Sequence, residues 1–481
     1  MDVLTKDLIR FSEENAVHSG AFSFLELMKI AGDTATEIIL KNYDVLNKKI
    51  AVVCGNGNNG GDGFVIANNL QKIGANVTLL LPLGEPMTDS AKHYYSLLSG
   101  IEIKPDLDDD YDIIIDAIFG IGLCRSLDEK MINLIQKINA SNAVKIAVDI
   151  PSGIECDSGK ILGACFKADL TVTFIAHKPC FMLPPATDFT GKVVVADIGV
   201  EPCGFKYKTI EQPILPKRSP NSHKGTYGTA VMFCGSYGMA GAAILSARAC
   251  IRSGVGIAKC VVPKSIYSIL TTAVPEAVCV IAKQTQKGTF KGNIGLENAL
   301  NKATAGLFGC GVGNNRQTQK LLKRLLKTAK IPLVLDADGI NALVSNINVL
   351  KKTNAPIIIT PHPAEMSRLV GKTVKQIEEN RVETATAFAR EYNCYVVLKG
   401  ANTILATPDG QVFFNLGGNA GMSTGGSGDV LAGMIVSYLA QKMPITDAIK
   451  AAVYLHSATA DKIAKIRGEA SLMPSDIIEA L

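Results

Sequence analysis

Three things are scarce or absent in this chain: paired cysteines, long apolar runs and charge of one sign. Its twelve cysteines include no C-x-x-C pair, so neither a zinc site nor a redox dithiol is indicated. Cys54, Cys234, Cys260 and Cys310 fall inside apolar runs and read as small buried hydrophobes in a reducing compartment, so a cytoplasmic location is expected. No apolar stretch approaches the ~20 residues needed to cross a bilayer. The charged start MDVLTKDLIRFSEEN lacks the apolar core of a signal peptide. A formal charge of +5 over 481 residues gives no argument for nucleic acid or a membrane surface as partner, while anionic small molecules stay open.

What is present is apolar content of 47%, and at about 150 residues per domain the length predicts two to four well-packed domains. Leu25 to Tyr43 carries apolar residues at helical spacing and predicts an amphipathic helix. The run KKIAVVCGNGNNGGDGFVIANNLQKIGANVTLLLP then reads strand, glycine loop, helix, strand, a βαβ unit of a parallel sheet. Gly55, Gly57 and Gly60 satisfy the dinucleotide fingerprint, yet Leu79, Leu80 and Leu81 stand where an acidic ribose ligand is expected, roughly 20 positions on. The loop carries Asn58, Asn59 and Asp62 instead, which disfavours a standard hydride-transfer domain. Two more strands end in polar residues: Asp116 before a second glycine turn, Gly120 to Gly122, and Asp149 before Pro151, Ser152 and Gly153. Ligands of open parallel sheets bind beyond the strands' carboxyl ends, and all three loops fall there. DLTVTFIAH and VVVADIGV complete the sheet, with Lys178 and Pro179 after the first.

Between Pro202 and Gly228 the chain turns rich in Pro, Lys, Ser and Gly, and a domain boundary is placed near Gln212. The second half opens with the strand TAVMFCGS and a helix, AGAAILSARACIRSGVG, stopped at Gly254. The strand in AGLFGCGVGNN leaves Gly313 where a ligand can approach the backbone. IPLVLDADGINAL presents Asp336 and Asp338 two apart in an extended segment, hence on one side of it. APIIITPHPAEM reads as a strand ending at His362, with Pro363 starting a helix; His362 is either a ligand contact or a neighbour of the helix cap. NCYVVLKGANTILATPDGQVFFN reads as two strands joined by the turn Pro408-Asp409-Gly410. Lys399, Gly400, Asn402 and Thr403, at the end of the first, suit a nucleotide. Asn415 to Asp429 is one long glycine-rich loop running into VLAGMIVSYLA. Unpaired backbone N–H groups at such a helix start make an anion seat. Asp429 is then either an ordinary helix cap or a base held against a phosphoryl group.

In family order, GNGNNGGDG, DAIFGIGL, VDIPSG and the Lys178-Pro179 pair, then HKGTYG, GAAILSARACIRSGVG, TPHPAEM, LKGANT and GGSGDVLAGMI, resemble the bifunctional NAD(P)H-hydrate repair enzymes over nearly the whole chain. The resemblance implies two α/β domains. Residues 1–212 would be a Rossmann-like parallel sheet with epimerase activity, and residues 213–481 a ribokinase-like, ADP- or ATP-dependent dehydratase. The substrates it implies are NADHX and NADPHX, formed when water adds across a ring double bond of NADH or NADPH. The first domain interconverts R and S epimers; the second dehydrates the S epimer through transient phosphorylation and loss of phosphate. Substrate contacts are implied for Asn58, Asn59, Gly60, Gly61 and Asp62, for Gly120, Ile121, Gly122, Leu123, Cys124, Arg125 and Ser126, and for Asp149. In the second domain they are implied for Gly241, Ala242, Gly313, His362 and Asp429. Lys399, Gly400, Ala401, Asn402 and Thr403, with Gly426, Ser427 and Gly428, would hold ADP or ATP with Mg²⁺, and Asn59, Asp116 and Ser152 would hold K⁺. Asp429 is the implied base toward the hydroxyl, and Asp149 the acid or base of epimerisation. A homo-oligomer is expected. The alternative is a ribokinase-like small-molecule kinase fused to a non-catalytic nucleotide-binding domain.

Overall fold

Short apolar runs punctuated by glycine fold here into parallel sheets buried on both faces. The computed structural model describes residues 1–107, 110–204 and 207–481, which fall into two units, Met1–Lys208 and Thr209–Leu481. Among the described residues no helix is long and apolar enough to cross a membrane.

In the first unit the strands of the seven-stranded sheet are β1 (Lys49–Cys54), β2 (Asn76–Leu80), β3 (Glu102–Lys104), β4 (Ile113–Ala117), β5 (Val144–Val148), β6 (Leu170–Phe174) and β7 (Lys192–Ala196). They lie in the order β3-β2-β1-β4-β5-β6-β7, and every neighbouring pair is parallel. Ile50, Val52, Ile115 and Val148 expose no surface, and burial of that kind stabilises by roughly 1.5–3 kcal/mol per side chain. The helix expected from Leu25 is α2 (Phe24–Asn42), which follows α1 (Lys6–His18). It starts at Phe24 because Ser23 and Glu26 form a reciprocal capping box. Its Leu27, Ala31, Ala35 and Ile39 are buried at helical spacing. After β1 comes α3 (Asn58–Lys72). From β1 the chain builds outward to β2 and β3, then crosses back to β4, so the switch point lies between β1 and β4.

The second unit contains β8 (Thr229–Phe233), β9 (Ile257–Pro263), β10 (Val278–Ala282), β11 (Ala305–Phe308), β12 (Leu333–Leu335), β13 (Ile357–Ile359), β14 (Tyr395–Leu398), β15 (Ile404–Ala406) and β16 (Val412–Phe414). Their order is β16-β15-β14-β13-β12-β11-β8-β9-β10, parallel from β10 to β14 and antiparallel beyond. Here the switch point separates β8 from β11. The helices that matter for the site are α4 (Ala240–Arg252), α5 (Asp338–Asn341), α6 (Pro363–Val370), α7 (Arg381–Tyr392), α8 (Ser427–Ala440) and α9 (Ile445–Arg467). Apolar on every side, α8 is buried from Val430 to Ala440, as expected of a helix inside a core. It meets α4 closely because Gly433 faces the Ser246 carbonyl, where any side chain would collide.

Three expectations need correction. The segment from Cys394 to Asn415 makes three strands, not two: Lys399–Thr403 separates β14 from β15, and the Pro408-Asp409-Gly410 turn joins β15 to β16. Asp336 and Asp338 do not share one side of a strand, because β12 ends at Leu335, Ala337 takes a positive φ of 49° and Asp338 begins α5. The strand before His362 stops at Ile359, three residues early.

Gly55 follows β1, and a Cβ there would overlap the Ile118 carbonyl of the loop after β4. Gly55→Ala therefore should destabilise the first unit by about 2 kcal/mol or more through overpacking against backbone, seen as a lower urea midpoint.

Candidate functional site

The first site gathers where β1, β4, β5 and β6 end. After β5 the chain turns at Asp149, whose φ of 66° is a strained value for a residue with a side chain. Lys178, fully buried, holds that carboxylate: its Nζ donates to Asp149 Oδ1 at 2.8 Å, to Thr173 Oγ1 at 2.6 Å and to the Phe174 carbonyl at 2.9 Å. All three ammonium protons are thus used. The Ile121 amide donates to the other oxygen, Oδ2, at 3.0 Å. Gly120 leaves the space beside them open, since a Cβ there would lie 2.6 Å from Asp149 Oδ2 and 3.4 Å from Asn59 Oδ1. Asn59, Gly120 and Asp149 therefore meet at one point.

Asp116 is buried at the end of β4, where it accepts from the Ser152 amide (2.7 Å), the Ser152 hydroxyl (2.7 Å) and the Ile118 amide (3.1 Å). Burial outweighs these bonds and pushes its carboxyl up to about 6. Ser152 also accepts from the Phe119 amide at 3.0 Å. Both polar atoms of the Asn59 side chain are buried without a protein partner. Asn58 to Asp62 form the first turns of α3 behind the cap Gly57. Gly60 and Gly61 are packing positions there: a Cβ would overlap the Gly55 carbonyl at one and the Met28 side chain at the other. Burial, then the charges of Asp149 and Glu13, push Asp62 well above the carboxylate range. In the loop after β4, Leu123 turns into the apolar cluster with Ile118 and Leu127, while Cys124, Arg125 and Ser126 are exposed.

The second site lies at the carboxyl ends of β8, β11, β12, β13 and β14. Lys399 follows β14 and donates to Asp336 Oδ1 at 2.9 Å, with Glu365 Oε2 at 3.9 Å. Burial alone would lower the Lys399 ammonium, but Asp336 and Glu365 outweigh it and raise it. Asp336 also accepts from Thr360 Oγ1 at 2.6 Å and lies 3.7 Å from the Cys310 thiol. Opposite this pair, α8 begins behind Gly426, whose φ of 99° suits glycine and which makes no side-chain cap. Asp429 is therefore the third helical residue and not a cap. Among the described residues the Gly428 and Asp429 amides have no backbone acceptor, whereas Ser427 N reaches Thr424 O and Val430 N reaches Gly426 O. Lys399 Nζ lies 3.1 Å from where a Gly428 side chain would start. Burial first, then Asp336, push the Asp429 carboxyl up to about 7. Cys310, Asp336 and Asp429 offer ligand atoms within 4.8 Å of one another.

Ser427 contacts the buried His456 of α9 at 3.4 Å. Burial, then Lys399, lower that imidazole to about 4, so it is neutral. The loop Gly400-Ala401-Asn402-Thr403 is pinned from below by the buried Arg381 of α7, which donates to the Ala401 carbonyl at 2.6 Å. At the switch point, Gly241 lies in the first turn of α4 with free space beside it, Ala242 faces Gly311, and the Gly313 amide donates to Asp338 Oδ2 at 2.8 Å. His362 is the cap of α6: its Nδ1 accepts from the Ala364 and Glu365 amides at 3.1 and 3.4 Å. Nε2 lies 3.5 Å from Glu365 Oε1, so Glu365 links His362 to the Lys399 cluster.

Comparison with known proteins decides what these two sites belong to. The family described as NAD(P)H-hydrate dehydratase matches residues 230–481, and that described as YjeF-related protein N-terminus matches residues 25–180. The bifunctional NAD(P)H-hydrate repair enzyme of Moorella thermoacetica is 35% identical over 482 residues, covering 95% of this chain and 91% of that protein. The Escherichia coli (strain K12) enzyme of the same description is 34% identical over 492 residues, covering 99% and 92%. The chain belongs to the bifunctional NAD(P)H-hydrate repair enzymes. It is an NAD(P)H-hydrate epimerase and an NAD(P)H-hydrate dehydratase in one polypeptide. A solved ADP/ATP-dependent NAD(P)H-hydrate dehydratase from Bacillus subtilis, co-crystallized with ATP/Mg2+, shares 31% identity; the match covers 55% of this chain and 91% of that one, with a TM-score of 0.48.

Several groups of this repair enzyme's sites gave no local signal in sequence. Glu365, Arg381 and His456 sit on helices whose patterns explain them as ordinary face or core positions. Glu13 lies on α1, where burial, then Asp149, push its carboxyl up to about 7. Lys178 was conspicuous beside Pro179, but its bond to Asp149, 29 residues away, is a product of β5 and β6 pairing.

Removing the Lys178 ammonium leaves a buried carboxylate uncompensated. Lys178→Met should cost roughly 3 kcal/mol in the first unit's unfolding, with little change in dehydratase activity, measured by denaturation and by nucleotide-dependent turnover.

Proposed function

We propose that residues 1–212 carry the epimerase and residues 213–481 the dehydratase, with Asp149 and Asp429 as the working carboxyl groups. The dehydratase reading is carried by Asp429: a carboxyl near neutrality, in the first turn of a buried helix, beside free backbone amides and the Lys399 ammonium. Hydroxide leaves poorly and phosphate leaves well. Asp429 takes the proton of the S epimer's hydroxyl as its oxygen attacks the terminal phosphoryl group of ADP or ATP, whose bridging oxygen departs with the electron pair. The Gly428 and Asp429 amides, which have no backbone acceptor among the described residues, and the Lys399 ammonium stabilise the charge gathering on the phosphoryl oxygens. Phosphate then leaves with the C–O electrons, the ring nitrogen supplying the push, and loss of a proton from the adjacent carbon restores the ring double bond. Gly241, Ala242 and Gly313, at the switch point, offer backbone against which the hydrated dinucleotide can lie, and Gly400 to Thr403 an exposed loop for the nucleotide.

Asp336, with Asp429 nearby, offers a carboxylate oxygen of the kind Mg²⁺ takes. The hydrogen bond with Cys234 and then burial push the Cys310 thiol up, and sulfur is a soft donor that suits Mg²⁺ poorly. Bound with the nucleotide, Mg²⁺ supplies charge neutralisation on the phosphates. In the epimerase half, the orphaned Asn59 amide and the buried Asp116 carboxylate beside Ser152 support a K⁺ held through their oxygens.

Asp429→Asn keeps the shape and removes the base. Dehydration should fall about 10²- to 10⁴-fold while epimer exchange continues, followed by the return of dihydronicotinamide absorbance and by chromatography of the epimers. The division of labour is tested by expressing the halves separately. Residues 1–212 should equilibrate the epimers without nucleotide, and residues 213–481 should consume only the S epimer and stall until the first half is added. Equal consumption of both epimers by the second half, or a stable phosphorylated product, would sink this reading.

A further inference from the structure

The epimerase site has a wall that lies outside the family match, which begins at residue 25. The segment before it is built into the first unit. The Leu4 amide donates to the His177 carbonyl at 2.8 Å, next to Lys178. Lys6 N donates to Asp157 Oδ1 at 2.9 Å. Leu4 and Ile9 are buried against Ala176, with Leu8, Ile121 and Ile175 around them. Helix α1 is thereby fixed over the loop that sends its Ile121 amide to Asp149. Residues 6, 9, 10 and 13 share one face of such a helix. Arg10 on that face reaches the loop, with Nη2 3.7 Å from where a Gly122 side chain would start. Glu13, one turn further on, is half-buried.

Epimerisation must invert a hydroxyl-bearing carbon. Both ring double bonds of a dihydronicotinamide are enamines, so water places its hydroxyl on the carbon beside the ring nitrogen. Inversion there proceeds when the hydroxyl leaves as water, the nitrogen lone pair forms an iminium, and a second water adds from the other face. That route needs one acid and one base on opposite faces. Asp149 alone, anchored at the sheet end by Lys178, serves one face.

We propose that Glu13 is the second proton-transfer group of the epimerase, working as a pair with Asp149. In one direction Glu13 protonates the departing hydroxyl as the C–O bond breaks, and Asp149 takes a proton from the attacking water as the new C–O bond forms. The pair ends with its one proton on Asp149, ready for the reverse direction. No oxidant or other reactant is needed beyond water. The charged groups around Glu13 are Asp149, Lys178, Arg10 and Glu14, with Asp62 nearby. Burial first, then Asp149, hold its carboxyl at about 7, where it can carry the proton or give it up.

This rests on Asp149 marking the epimerase site, and the test separates the two ideas. In the full-length enzyme without nucleotide, Glu13→Gln should lower kcat for epimer exchange about 10²-fold or more with little change in KM, and Glu13→Asp should recover part of it. An unchanged urea midpoint for the first unit of the same variant reports that the half carrying Glu13 is folded. Both directions use the singly protonated pair, so wild-type exchange should fall above about pH 7 as Glu13 loses its proton. The residual activity of Glu13→Gln should lack that alkaline limb. Exchange by Glu13→Gln within about threefold of wild type, or an unchanged limb, overturns the proposal. If Asp149→Asn is inactive while Glu13→Gln is normal, only the second group is wrong; if Asp149→Asn exchanges epimers normally, the site itself is misassigned.

Discussion

Parallel pairing sends the carboxyl end of every strand to the same edge of its sheet, and both sites of this repair enzyme follow from that constraint. A loop leaving β1 has no choice but to meet loops leaving β4 and β5, so Asn59, Gly120 and Asp149 converge although 90 positions separate the first from the last. In the second unit, β12, β13 and β14 are neighbours, which brings Asp336, Thr360 and Lys399 into one hydrogen-bonded group. The glycines at the two switch points let those loops approach more closely than side chains would allow.

Each site then carries more carboxyl groups than ammonium groups. Lys178 answers to Asp149 while Asp62, Asp116 and Glu13 stay close by, and Lys399 answers to Asp336 and Glu365 while Asp429 waits opposite. Burial drives the surplus carboxyls toward neutrality, helped at Glu13 and Asp429 by a neighbouring carboxylate. A carboxyl near neutrality is a useful proton carrier and a poor source of stability. The two cores, apolar through β1, β4, β8 and β11, supply the stability these sites do not.

How much of this could be read in the sequence depended on how local each feature was. The βαβ unit at Lys49–Leu80 and the glycine-led helix at Ser427 were legible because the apolar run, the glycines and the following period all lie within about 30 residues. Asp149 and Lys399 were legible as polar residues at strand ends. The extended reading of Asp336 and Asp338 went wrong because one residue, Ala337, adopts a positive φ, which nothing in an alanine announces. Reading two strands in Cys394–Asn415 missed the Lys399–Thr403 loop because what holds it is a packing contact, from Arg381 on α7 to the Ala401 carbonyl, that no periodicity shows. Lys178 with Asp149, and Arg10 with Gly122, are meetings across the fold, and no spacing rule encodes them.

The complete burial of Lys178 also bears on chemistry done to the protein. An acylating reagent, or an acetyltransferase, must bring an electrophile to the lysine nitrogen. Lys178 shows no surface to either, and all its protons point at fixed acceptors. Lys399 keeps about a fifth of its side-chain surface open. In a lysine-reactivity map of the native chain, the site around Lys399 would therefore be visible and the site around Lys178 silent. Any label recovered on Lys178 would date from a moment when the strand ends had come apart, which makes that residue a recorder of opening rather than of surface.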